Sequence, residues 1–219
     1  MSGSFTFNML KFSWIWQCAQ QQLIISTQID HNYAVEYMLD LCEMIFRLTH
    51  KLAKKIGIAR LKFLPLNRNP YIDWTAHLFT ADRAQYIIVT NTASLYSLVM
   101  YGRGITDDNE FIQSTLSFMR DFMTDDGCEF LFRRLIAPHT ARVSFSKATD
   151  RRVIGSMNDL IVQAKYYLTE RQMSPFDTSL HVNETPMSYL GYNKPKEAFR
   201  GLKVEPEEAS GASVEYSEK

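Results

Sequence analysis

Cysteine is scarce in this chain of 219 residues: only Cys18, Cys42 and Cys128 are present. Their number is odd and their spacing suits neither a C-x-x-C metal pair nor a disulfide framework, so the sequence points to a reducing compartment, the cytoplasm. The histidines, at 31, 50, 77, 139 and 181, are equally scattered and none belongs to an H-E-x-x-H segment. No metal site and no cofactor are expected from them. Long apolar runs are missing too. The nearest, Phe5 to Trp16, is interrupted by Asn8 and Lys11. It falls short of the roughly 18–20 residues of a membrane span and lacks the flanks of a secretory signal, so no membrane partner is expected. The glycines of YGRGIT are not followed by GKS or GKT, which leaves them a loop. Ser156 follows a glycine, but GSMND is not a G-x-S-x-G elbow and has no histidine nearby, which argues against acyl transfer. The adjacent carboxylates Asp107-Asp108 and Asp125-Asp126 fall in turns, where solvated helix-start roles account for them.

Net charge is also absent, since 24 basic and 24 acidic residues cancel. The cancellation is uneven: residues 1–43 carry −3, residues 44–200 carry +6 and residues 201–219 carry −3. A mildly basic middle favours an anionic partner without reaching the dense stripe of a dedicated nucleic-acid binder.

What is present is an apolar fraction of 46 %, enough for one buried core. Tyr33 to Glu43 could form a short helix with Val35, Met38, Leu39 and Cys42 on one side. From Met44 the pattern sharpens. MIFRLT reads as a strand and HKLAKKIG as a basic helix closed by Gly57. Ala59 to Ile72, with Pro65 and Pro70, reads as a loop. Trp74, Ala76 and Leu78 alternate with Thr75, His77 and Phe79, a turn follows at 80–83, and QYIIVT returns as the second arm of a hairpin. SLYSLVMY predicts a third strand. Thr106 and Asp107 open a helix in which Phe111, Ile112, Leu116, Met119, Phe122 and Met123 recur at helical spacing. CEFLFRRLI predicts a short helix ended by Pro138, and RVSFSK a further strand.

The richest stretch is Thr149 to Glu170, TDRRVIGSMNDLIVQAKYYLTE. Ser156 sits where an N-cap is expected, with Asp159 three residues on as in a capping box. Met157, Leu160, Ile161, Ala164, Tyr167 and Leu168 form an apolar stripe; Asn158, Val162, Lys165 and Thr169 lie opposite. Two readings follow. Gly155, Ser156 and Asp159 either start a helix and do nothing more, or the helix start, with Arg151 and Arg152 just before it, attracts a carboxylate or phosphate. Beyond it, HVNETPMSYL reads as a loop with a short helical turn started by Thr185 and Pro186. Residues 194–219, acidic towards their end and poor in large apolar groups, are expected to be disordered.

The segments MIFRLTHKLAKKIGI, DWTAHLF, YIIVTNTASLYSLV, DRRVIGSMNDL and VNETPMSYLGY together resemble a family of uncharacterised bacterial proteins, found in genomes and mobile elements and known as a conserved domain of unknown function. The resemblance covers about Met44 to Tyr192, and its most specific part is R-x-x-x-G-S-M-N-D, here Arg151, Gly155, Ser156, Met157, Asn158 and Asp159. Arg152 departs from the small polar residue usual in the family. The resemblance implies that members begin near Met44, so residues 1–43 are expected to be an extension that the native protein need not contain.

The sequence thus predicts a single α+β domain at 44–193, an antiparallel sheet of four or five strands on three or four helices, between an N-terminal extension (1–43) and an acidic tail (194–219). The expected function is a binding or regulatory module for an anionic partner such as nucleic acid, with Arg151, Ser156, Asn158, Asp159 and Lys165 as ligand-binding candidates, aided by Arg152, Lys51, Lys54 and Lys55. The alternative is an enzyme acting on a small anionic substrate, with the Ser156 helix start as oxyanion cradle and Asp159 as base. Convergence of these side chains on a pocket would favour the enzyme; a convex arrangement would favour binding.

Overall fold

The computed structural model describes residues 43–204, so the helix expected at 33–43 and most of the acidic tail lie outside the described residues. Five strands form one sheet in the order β4-β3-β2-β1-β5: β1 Met44–Leu48, β2 Asp73–Ala81, β3 Ala84–Asn91, β4 Ser97–Tyr101 and β5 Val143–Lys147. The hairpin read from the alternating pattern is β2–β3, with Ala81 paired to Ala84. Its two-residue turn, Asp82 and Arg83, has φ of 41° and 63°. Left-handed backbone at both positions is what the right-handed twist of the strands asks of so short a connection.

The α+β class is as expected, and most paired residues are antiparallel, through β2, β3 and β4. The sheet is nonetheless mixed, because β1 pairs in parallel with both β2 and β5. Parallel neighbours need long crossovers, and the chain supplies them: residues 49–72 between β1 and β2, and residues 102–142 before β5.

Six α-helices occur among the described residues: α1 His50–Lys55, α2 Asp108–Asp125, α3 Glu129–Leu131, α4 Arg151–Thr169, α5 Pro175–Asn183 and α6 Pro195–Arg200. The first, second, third and sixth cover one face of the sheet. There Met44, Phe46, Leu48, Trp74, Ala76, Leu78, Ile87 and Val89 meet Leu52 of α1 and Phe111, Met119 and Phe122 of α2 in a continuous apolar cluster. Fully burying a side chain of this kind contributes about 1.5–3 kcal/mol, so this layer dominates the stability.

Helix α4 covers the other face and α5 lies along the β4 edge, where Ser179 and Asn183 hydrogen-bond the Val99 and Ser97 backbone. Only part of the second face is apolar, with Phe79, Ile88 and Val99 packed on Val153, Met157, Leu160 and Val182. Towards β1 and β5 the same face carries Arg47, Asp73, Thr75 and Ser146, all buried. Arg47 reaches both carboxylate oxygens of Asp73 at 2.7 Å. It also donates to the carbonyls of Leu64 and Pro65, at 2.8 and 2.6 Å. Asp73 in turn accepts from Thr92 Oγ1 at 2.8 Å and from the Asn67 amide at 3.0 Å. The pair therefore pins the 64–67 loop across the second face, and its hydrogen bonds offset the cost of burying two charges.

Two segments differ from expectation. Residues 175–183, of which 181–183 are expected to begin a loop, form α5, with Ser174 accepting from the Asp177 amide and Pro175 at the first helical position. The folded unit also runs past the expected boundary at 193. Phe199 of α6 is fully buried, stacked 4.5 Å from Tyr96 and edge-on to Tyr71 at 5.1 Å. Lys196 holds Asp126 at 2.6 Å, and Arg200 donates to the Asp126 carbonyl at 2.9 Å. One aromatic plug and two cationic contacts are enough to order a segment whose composition looks too polar to fold alone.

Candidate functional site

Helix α4 starts earlier than its sequence suggests. Asp150 is the N-cap, its side chain accepting from the amides of Arg152 at 2.8 Å and Val153 at 3.3 Å. The apolar stripe also begins earlier, since Val153 stands four residues before Met157 and is buried with it. Gly155 therefore lies inside the helix, at a cost of about 1 kcal/mol relative to Ala. Ser156 is buried in the second turn, its amide part of the helix ladder. The expected cap at Ser156, and with it an anion cradle at that residue, is corrected: the amides of this helix without a helical carbonyl partner lie at 151–153, Ile154 already donating to the Asp150 carbonyl at 3.0 Å, and Asp150 supplies them with a carboxylate.

Arg151, Asn158 and Lys165 are spaced by seven residues and all exposed, so they share one outward stripe of α4. At 1.5 Å per residue the stripe is about 21 Å long. Gly155 and Val162 lie between them; nothing stands within 4 Å of where a Gly155 side chain would begin. Asp159 is exposed on the flank of the stripe. Arg152 belongs elsewhere: its guanidinium lies 5.8 Å from the centre of the Tyr189 ring and 4.0 Å from Asp150. Of the candidates, then, Arg151, Asn158 and Lys165 are brought onto one convex face, Asp159 borders it and Ser156 is turned inward. None of the five lines either of the two crevices described below.

The fold adds a residue that the sequence did not single out. His77, on the α4 side of β2, accepts or donates through Nδ1 to Thr49 Oγ1 at 3.1 Å. Burial holds this imidazole below the ordinary histidine range, and the positive charges of Lys51 and Lys165 push it further down. Lys51 on α1 and Lys165 on α4 are 114 positions apart in sequence, yet both act on one imidazole. The clue in the sequence is a histidine at a position of the alternating strand whose neighbours on that face must meet a second layer of structure.

Beside this cluster, strands β1 and β5 end together and their connections part. The chain leaves β1 into α1 on the first face and leaves β5 into α4 on the second. Adjacent parallel strands whose connections diverge leave a crevice beyond their carboxyl ends. Here it has a volume of about 640 Å³ and includes Thr49, His50, Lys54, Lys147 and Ile154 in its lining. A smaller cavity of about 250 Å³ lies over Arg47, Thr75 and Thr92, beneath the start of α4. Its arginine is consumed by Asp73 and the loop carbonyls and is structural.

Among the described residues, no three His, Cys, Asp or Glu side chains lie close enough together to hold a metal ion. No helix among them is long and apolar enough to cross a membrane. No curated protein matches the chain. A family model does match residues 45–198, which is most of the described residues, and the chain accordingly belongs to the DUF6933 family, a domain of unknown function.

Proposed function

We propose that the protein is a binding or regulatory module for an anionic partner, with nucleic acid the class that fits best. The observation that carries this reading is the outward stripe of α4, where Arg151, Asn158 and Lys165 stand in line on a 19-residue helix, with the charge of Lys51 on α1 acting on the same imidazole as Lys165. A convex helix with cations at its ends can follow a phosphate backbone, and the carboxamide of Asn158 between them can pair with a base edge. Gly155 lets a backbone approach the helix closely. Among the described residues, Lys51, Arg151 and Lys165 have no carboxylate within ion-pair distance, so their charge is not spent internally. In this reading, R-x-x-x-G-S-M-N-D combines one packing half, Ser156 and Met157, with one exposed half, Arg151, Gly155 and Asn158. Catalysis at a Ser156 helix start loses its geometric support, because the helix does not start there.

Fluorescence anisotropy with labelled single-stranded and duplex DNA across a salt series tests the proposal. Binding that weakens with salt is expected, with R151A/K165A reducing the salt slope by about 2, roughly one unit for each lost phosphate contact. N158A is expected to change sequence preference more than overall affinity. Absent or salt-insensitive binding, or an unchanged R151A/K165A variant, would end this reading.

A further inference from the structure

The crevice at the ends of β1 and β5 is separate from the α4 stripe, and we infer that it is a site for a mononucleotide, a small molecule with a phosphate-bearing end and a flat, weakly polar body. Its volume of about 640 Å³ is in the range of small-molecule sites. It lies where adjacent parallel strands send their chains to opposite faces, the position at which open sheets hold ligands. The lining divides by chemistry. Leu48, Ala53, Ile58, Leu61 and Ile154 make an apolar wall, and His50, Lys54 and Lys147 are the groups that can carry positive charge.

No carboxylate lines the crevice, and among the described residues neither Lys54 nor Lys147 has an acidic partner within ion-pair distance. The one hydroxyl in the lining, on Thr49, is engaged by His77 at 3.1 Å. Backbone groups around Lys147 are also committed, its amide to the Lys62 carbonyl at 3.0 Å and that of Ala148 to Leu48 at 3.1 Å. A sugar rich in hydroxyls would find few side-chain partners here, whereas an anionic head would meet the two lysines and a planar base the aliphatic wall. The charge selects the phosphate and the wall selects the base.

Isothermal titration with ADP, adenosine and inorganic pyrophosphate tests the assignment. ADP is expected to bind more tightly than either part alone, and K54A/K147A to weaken it at least tenfold, while R151A/K165A leaves it unchanged. Both lysines are exposed, so the double variant should keep its melting temperature. A59W, which adds bulk at an exposed lining position without changing charge, is expected to weaken ADP as well. The inference is overturned if ADP shows no binding, if pyrophosphate binds as tightly as ADP, or if the loss follows R151A/K165A instead of K54A/K147A. Failure of DNA binding leaves it standing, since the two surfaces use different residues.

Discussion

The two faces of the sheet solve the same packing problem differently. Neighbouring residues of β1 show it: Phe46 points into the first face, 5.2 Å from the Phe111 ring, and Arg47 into the second, bound to Asp73 at 2.7 Å. The first face is built mainly from apolar contacts, where loss of a side chain such as Phe46 leaves a cavity, with Asp126 and its Tyr96 and Lys196 partners as a polar cluster at its margin. The second holds specific polar pairs, where removing one member strands the other in a medium that cannot solvate it. The first face therefore holds the larger apolar layer, and the second adds His77 and the start of α4 to the polar groups at the edge of α1.

Breaking each face in turn gives the largest effects. F46A and R47A should each cost about 3–5 kcal/mol in urea unfolding, the first through a cavity and the second through an uncompensated buried Asp73. The double variant R47M/D73L should recover part of its loss, whereas no second substitution is expected to rescue F46A so simply. Full stability of R47A would mean that the polar pair contributes nothing to the fold.

The plug on the first face comes next. F199A should lower stability by about 3 kcal/mol and free α6 for proteolytic cleavage ahead of global unfolding. If cleavage at α6 and global unfolding of F199A coincide, the helix is an integral part of the core and not an attached strap.

At the start of α4 the expected effects are smaller. Loss of the cap in D150A should cost about 1 kcal/mol in thermal unfolding, and S156A less than about 0.5 kcal/mol, since Ser156 caps nothing. The reverse order would restore the helix start to Ser156.

The smallest effect is on pH. In the folded protein His77 is held below its ordinary value of about 6.5, so below that value the unfolded chain binds the extra proton more readily. Stability is thus fully present above that value and declines as the pH falls through it. H77Q should flatten this decline, leaving a residue from His139, which burial also lowers. Anion binding beside Lys51 and Lys165 would relieve the repulsion, bring the folded-state His77 closer to its ordinary value and shrink this decline, which links the stability measurement to the proposed function.

Much of the fold was legible because its signals are local. The β2–β3 hairpin follows from alternation around a short turn, and α2 from helical spacing after Asp107, which accepts from the Glu110 amide at 2.8 Å. Two local signals were present and misread. Ser174-Pro175 with Asp177 is a complete helix start, yet the loop read from HVNETPMSYL overlaps the end of the helix it opens, at 181–183. Gly155-Ser156 looked like a turn and cap, yet Asp150 and the buried Val153 place the same helix start six residues earlier. The site was legible in part: Arg151, Asn158 and Lys165 share a face in any helix that includes all three, whichever residue begins it.

Side-chain alternation and helical spacing depend only on neighbours along the chain, so strands, helices and the shared stripe of α4 were present in the order of residues. Pairing β1 in parallel with β5 sets Arg47 beside Ser146, 99 positions away, and brings the ends of the two strands together. No local pattern encodes that choice, which depends on which distant surfaces bury most apolar area together while satisfying Arg47 and Asp73. The crevice, the imidazole between two lysines and the ordering of α6 all arise from that packing, because each joins groups that meet only after the layers have assembled.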